Sequence, residues 1–294
     1  MSNAPAIVAA QEPIRRTPVA LLELVRGHRR VMASFVLVAL LFLVAILSPL
    51  ISPHDPLAVS PDKSYLPPLT PGHVLGTDEL GRDLLSRILW GSRVSLPVAF
   101  VAVAVGLFGG GLIGLVSGYA GGIADLLLMR LVDALLAFPG LILAIAVVAA
   151  LGPGLRNAMI AIGIVAVPVY ARLVRAVVLQ LKQMEFIVAT RSLGATPLRL
   201  VVRHLIPNLL NPIIVQVSLS AGFAILAEAT LSFLGLGAQL PTPDWGQMIN
   251  SGASFLNNDP WLAIVPGAAI SITVYSFNLL GDSLRDALDP RLRS

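Results

Sequence analysis

Long apolar stretches separated by short polar ones dominate the chain. Six of them, 31–51, 95–119, 126–151, 158–179, 212–236 and 261–280, carry few or no charged residues. A helix needs about 20 such residues to cross the hydrocarbon core of a bilayer. Backbone groups in lipid must be satisfied within the segment, so the stretches are predicted to be helices. The short alternating segments of a barrel are missing. The pattern predicts an all-α membrane protein with six transmembrane helices.

Composition agrees. Hydrophobic residues make up 56% of the 294 residues and charged residues 12%, with a mean hydropathy of +0.85. Soluble domains carry roughly 25% charged residues, which excludes a water-covered surface. The net charge of +4 is no nucleic-acid signal. Without cysteine there is no disulfide or thiolate metal site.

Most Lys and Arg fall on one side. Arg15, Arg16, Arg26, Arg29 and Arg30 precede the first span; Arg172, Arg175, Lys182, Arg191, Arg199 and Arg203 surround the fourth-to-fifth connection; Arg285, Arg291 and Arg293 end the chain. The positive-inside rule then places both termini and that connection in the cytoplasm. The first run is too long for a cleaved signal peptide and reads as a signal anchor. The chain divides into a cytoplasmic segment 1–30, a first span with extracytoplasmic segment 31–93, a membrane core 94–282 and a cytoplasmic tail 283–294.

Two outer segments are long. In 52–93, Thr77 or Asp78 is a candidate helix cap. Leu80, Leu84, Leu85, Ile88 and Leu89 form a stripe, and Asp83 can pair with Arg87 one turn on. This predicts an outer amphipathic helix. In 237–260, Trp245, with Trp261 just beyond, suits the headgroup level.

Gly106, Gly110, Gly114, Gly118 and Gly122 recur every fourth residue and predict a face for close helix packing. Glu228 lies inside a span; it either lines a pathway or acts as a structural hydrogen-bond hub. Asp125, Arg130 and Asp133 read as a structural ion-pair cluster. No phosphate-binding loop occurs, and Lys63 and Lys182 are the only lysines. The four histidines, His28, His54, His73 and His204, lie outside the spans. No metal-ligand cluster or nucleophile–base pair is apparent, so no enzyme and no metal site is expected.

The stretch 185–208 is polar and basic between two spans. Gly194 suits the left-handed end of a short helix. Thr196 is an N-cap and Pro197 a first helical residue. The second helix is expected to stop at Pro207. Leu198, Val201, Val202 and Leu205 share one side, and Arg199 and Arg203 the other. A joining loop needs no such construction, so the pair reads as a docking element for a cytoplasmic partner.

These residues resemble the EAA loop of ATP-binding-cassette (ABC) importer permeases. In register on Gly194, the chain has Val188-Ala189-Thr190 at the EAA position and His204-Leu205-Ile206-Pro207 at the end. Glu185 stands three residues early and His204 replaces an isoleucine. Those departures, with LGTDELGRDLLSR, GSRVSL, LSFLGLG, PTPDWGQMI and GDSLRDALDPRLR, resemble the C-type permeases of dipeptide, oligopeptide and nickel importers. The resemblance implies a type I importer fold with a cytoplasmic coupling helix pair, in a bacterial plasma (inner) membrane. It implies ATPase coupling through Glu185, Ala189, Arg191, Gly194, Ala195, Pro197, Leu198, Arg199, Val202, His204 and Pro207. Implied partners are a homologous second permease, two ABC ATPase subunits holding ATP and Mg, and an extracytoplasmic substrate-binding protein. The implied cargo is di- or oligopeptide, with a nickel chelate, glutathione or haem as alternatives. Rival classes are an ion-gradient transporter, which needs more intramembrane ionisable groups than Glu228, and a non-transporting scaffold.

Overall fold

A computed structural model describes residues 29–288. The basic residues expected at the cytoplasmic termini (Arg15, Arg16, Arg26, Arg291 and Arg293) lie outside the described residues. The described chain is helical: α1 Arg29–Ile51, α2 Leu84–Ala120, α3 Gly122–Leu136, α4 Gly140–Leu151, α5 Leu155–Lys182, α6 Glu185–Ser192, α7 Pro197–Leu200, α8 Ile206–Phe233, α9 Trp245–Ala253 and α10 Trp261–Leu288. Five helical stretches are long and apolar enough to cross a membrane, and six spans result if the bent pair α3–α4 is one of them.

The expected third span is therefore broken. The chain turns by 92° between α3 and α4. Pro139 explains the turn: it disfavours helical dihedrals at Phe138 and has no N–H to donate.

The expected outer amphipathic helix is not a separate element. It forms the first turns of α2, which continues through 37 residues. The cap is Asp83, whose carboxylate accepts the Ser86 N–H at 2.8 Å, and not Thr77 or Asp78. Leu80 precedes the helix. Arg87 is buried and pairs with Asp78, Nε to Oδ2 at 3.4 Å, instead of Asp83. Arg82 also binds Asp78 (Nε to Oδ2, 2.7 Å) and reaches Glu79 at 3.2 Å. The segment is thus a packed cap on the bundle held by buried ion pairs. Trp245 belongs to it: it is buried, donates Nε1–H to the Ile88 carbonyl at 3.0 Å, and does not sit at a headgroup surface. Arg82→Met leaves Glu79 without its ion pair and Asp78 with the longer Arg87 ion pair and two backbone N–H bonds. Breaking a buried pair costs up to about 3–5 kcal/mol. Limited proteolysis should cut the 52–83 segment faster in this variant than in the parent.

The glycine face meets α5, a partner the periodicity alone could not name. A Cβ at Gly106 would lie 2.6 Å from the Ala166 Cβ, and one at Gly118 3.0 Å from Val178. At Gly110 and Gly114 it would run into the backbone carbonyls of Val167 and Ala171. Gly163 of α5 answers in kind, facing Val105. The face ends at Gly118. Gly122, expected to extend it, starts α3 at φ +57° with open space around it.

Asp125 and Asp133 do form ion pairs, but with α5 and not with Arg130. Arg175 clamps Asp125 with Nε and Nη2, each at 2.6 Å, and Arg172 reaches Asp133 at 2.8 Å. Ser117 also donates to Asp125.

Candidate functional site

The connection between α5 and α8 folds as two short helices at one end of the bundle. α6 ends in a reciprocal turn. The Gly194 N–H donates to the Arg191 carbonyl at 3.0 Å and the Ala195 N–H to the Thr190 carbonyl at 3.3 Å. Gly194 sits at φ +81°, which a residue with a Cβ adopts only at a cost. Thr196 then caps α7, its hydroxyl accepting the Arg199 N–H at 3.4 Å, with Pro197 as first helical residue.

Pro207 does not stop the second helix. A π-helical turn, Val201–Leu205, follows α7, and Pro197–Phe233 is helical without a gap. Proline removes its own N–H and its ring presses on the carbonyl four residues back, here Arg203. The wider turn, in which the Ile206 N–H reaches the Val201 carbonyl, accommodates both.

The same turn rotates the expected apolar side. Leu205 points inward with Leu200 and Ile187, packing on Val174, Val178 and Leu181 of α5. Val201 is half-buried. Leu198 and Val202 point out, 73% and 55% exposed, and Leu193, before the turn, is 88% exposed. Of the four residues assigned one side, two hold the pair to its own bundle and two remain for another surface. Burying a leucine is worth about 1.5–3 kcal/mol, so the inner set fixes the pair rigidly. His204 closes it, its ring 6.3 Å from that of Phe186. Glu185, Ala189, Arg191, Gly194, Pro197, Arg199 and Pro207 are exposed with Leu198 and Val202, and Ala195 is half-buried. The result is an apolar surface flanked by Arg191, Arg199 and Arg203.

Lys182, at the end of α5, donates to the Gly118 and Tyr119 carbonyls at 3.1 and 2.8 Å. The charge sits where α2 leaves its carbonyls unpaired, as the helix dipole favours. The end of α5, from which the helix pair departs, is thereby tied to the end of α2.

Glu228 lies elsewhere, fully buried in α8. It accepts the Ser232 hydroxyl at 2.7 Å through Oε1, while its Oε2, the Ser95 hydroxyl of α2 and Oδ2 of Asp244, the cap of α9, are each buried without a hydrogen-bond partner. Its one side-chain bond stays within α8, so the pathway and hub readings are separated by substitution. Glu228→Gln keeps the shape and the contacts and should leave transport and protein amounts unchanged. On the hub reading, Glu228→Leu strips the buried Ser232 hydroxyl of its acceptor, about 1–3 kcal/mol, and should lower the thermal midpoint. Transport lost in Glu228→Gln at normal stability would make it a pathway residue.

At the opposite end of α2 the fold gathers His54, His73 and Asp83, a group no local pattern announced. Burial alone would raise the Asp83 carboxyl, but hydrogen bonds from Ser86 and His73 hold it below the ordinary carboxylate value.

The bundle with its packed helix pair defines a class: polytopic all-helical membrane proteins with a rigid connection between two spans. Residues 110–294 match the family described as binding-protein-dependent transport system inner membrane component, and residues 25–68 match the N-terminal TM domain of oligopeptide transport permease C. The chain is 44% identical over 269 residues to the dipeptide transport system permease protein DppC of Alkalihalophilus pseudofirmus, covering 92% of this chain and 88% of that one. It is 50% identical over 222 residues to the glutathione transport system permease protein GsiD of Pectobacterium atrosepticum, covering 76% and 74%. A MetNI methionine ABC transporter chain in an inward-facing conformation shares the fold, with a TM-score of 0.59 at 21% identity over 70% of this chain and 98% of that one. The chain belongs to the family of binding-protein-dependent transport permeases: it is an inner-membrane ABC importer component, which works with ATPase and substrate-binding partners.

Proposed function

We propose that the chain is the C-type permease subunit of a bacterial importer for di- or oligopeptides. It forms half of the pathway beside a homologous second permease. Two ABC ATPase subunits bind the coupling pairs and carry ATP and Mg, so this chain itself catalyses nothing. An extracytoplasmic binding protein delivers cargo to the outer segments, and both termini are cytoplasmic. The observation that carries the reading is the exposed Leu193, Leu198 and Val202 surface on a capped, internally anchored helix pair. Glu185, Ala189, Arg191, Gly194, Ala195, Pro197, Arg199, His204 and Pro207 shape that element or border it. Because the pair is packed on α5 and runs unbroken into α8, a displacement imposed by closing ATPases is passed to two spans as a rigid lever.

Peptide cargo is supported by the names of the dipeptide permeases that the chain is similar to. Glutathione, itself a tripeptide, is a second reading supported by the 50% identical relative. A pull-down of the tagged chain in mild detergent tests the assembly. A second permease and Walker-type ATPases are expected; a chain that emerges alone, even after cross-linking at Leu198 or Arg199, overturns it. Uptake of labelled dipeptide against labelled glutathione by the reconstituted complex decides the cargo.

A further inference from the structure

We infer that His54, His73 and Asp83 form a binding site for a zinc-class divalent transition-metal ion on the outer face of the bundle. The His73 Nδ1 lies 2.9 Å and the His54 Nδ1 3.8 Å from the same oxygen, Asp83 Oδ1. All three ligand atoms fall within 4.8 Å of one another. Bonds of about 2.0–2.2 Å to a tetrahedral ion put ligand atoms about 3.4 Å apart, between the two observed separations. The two imidazole rings are stacked, 4.8 Å between centroids and 25° apart in plane. Both present a nitrogen to one carboxylate.

The ligands are held for this task. Asp83 Oδ2 accepts from the Ser86 N–H and hydroxyl at 2.8 and 2.6 Å, which turns Oδ1 toward the histidines. The Ser86 hydroxyl oxygen also accepts the His54 backbone N–H at 3.1 Å, tying the end of α1 to the cap of α2. Such supporting bonds orient metal ligands. His73 and Asp83 are buried. His54 is exposed and lines an open cleft of about 750 Å³ with Asp55, Trp90, Arg93 and Thr242. The ion enters there, past His54, the exposed member of the three. Two imidazoles with a single carboxylate oxygen select zinc, nickel or cobalt over calcium or magnesium, which demand more oxygen ligands. Three protein ligands leave a fourth position for water or an incoming donor group. The bound ion would clamp the 52–83 segment to the bundle.

The test uses the full chain without a histidine tag, in nanodiscs, stripped with chelator and titrated with Zn²⁺ and then Co²⁺. One equivalent of tight binding is expected, with intense visible bands for Co²⁺ and a raised thermal midpoint. His54→Phe keeps the ring stack and the buried His73–Asp83 bond, so it folds. It should weaken binding at least about tenfold and abolish the metal-dependent rise in midpoint. Absence of stoichiometric binding, or equal binding by His54→Phe, overturns the assignment and leaves the group as a hydrogen-bonded helix cap.

Discussion

Leu198→Asp should leave the chain in the membrane at normal amounts and cut substrate-stimulated ATP hydrolysis by the assembled transporter more than about tenfold. The leucine is 73% exposed and belongs to none of the buried apolar clusters, so folding loses nothing when it goes. Val202, one turn on, and Leu193, before the turn, are exposed like it. A carboxylate placed in the middle of an apolar contact must be desolvated when the partner arrives, and truncation of a central anchor costs 2 kcal/mol or more as an order of magnitude. Leu200→Asp supplies the contrast. Leu200 is buried on α5, so that variant should fail earlier, as protein lost from the membrane. Normal stimulated hydrolysis in Leu198→Asp, measured in proteoliposomes with the binding protein, would remove this surface from the coupling pathway.

Gly110→Ala should destabilise the chain by several kcal/mol, while Gly111→Ala, one residue on, should be neutral or slightly stabilising. At Gly110 the new methyl group would overlap the Val167 carbonyl and lie 2.8 Å from the Tyr170 Cβ. Neither can yield without α2 and α5 moving apart, and that interface is the most extensive in the fold. At Gly111 the nearest atom is 3.8 Å away, an ordinary contact, so the helix gains the roughly 0.5–1 kcal/mol by which alanine exceeds glycine. Thermal unfolding in detergent, followed by loss of the monodisperse peak, separates the two variants. Equal midpoints would mean that the glycine face is not a packing face.

Much of the coupling element was legible because its determinants are local. Gly194 at a left-handed position, Thr196 as cap and Pro197 at the first helical place are each dictated by residues within one turn. The facing of Leu205 was not. It follows from the π turn that Pro207 imposes, and a regular helical period cannot represent a change of pitch. Similarly, the 126–151 stretch is uniformly apolar, which hides the bend at Pro139. The separate outer helix failed for a related reason: nothing between Leu89 and Ser95 breaks a helix, and Asp83 outcompeted Asp78 as cap because Asp78 is taken by Arg82 and Arg87.

The sequence by itself determined the membrane-spanning class, the helical segments, the glycine face and the capped turn of the coupling pair. Hydropathy and dihedral preference act over one to twenty residues and are written in the order of the chain. Only the tertiary structure decided that the glycines meet α5, that Arg87 serves Asp78, and that His54 comes beside His73 and Asp83. Those pairings depend on which helices pack together and in what register. Shape complementarity between distant segments sets that, and no local pattern records it.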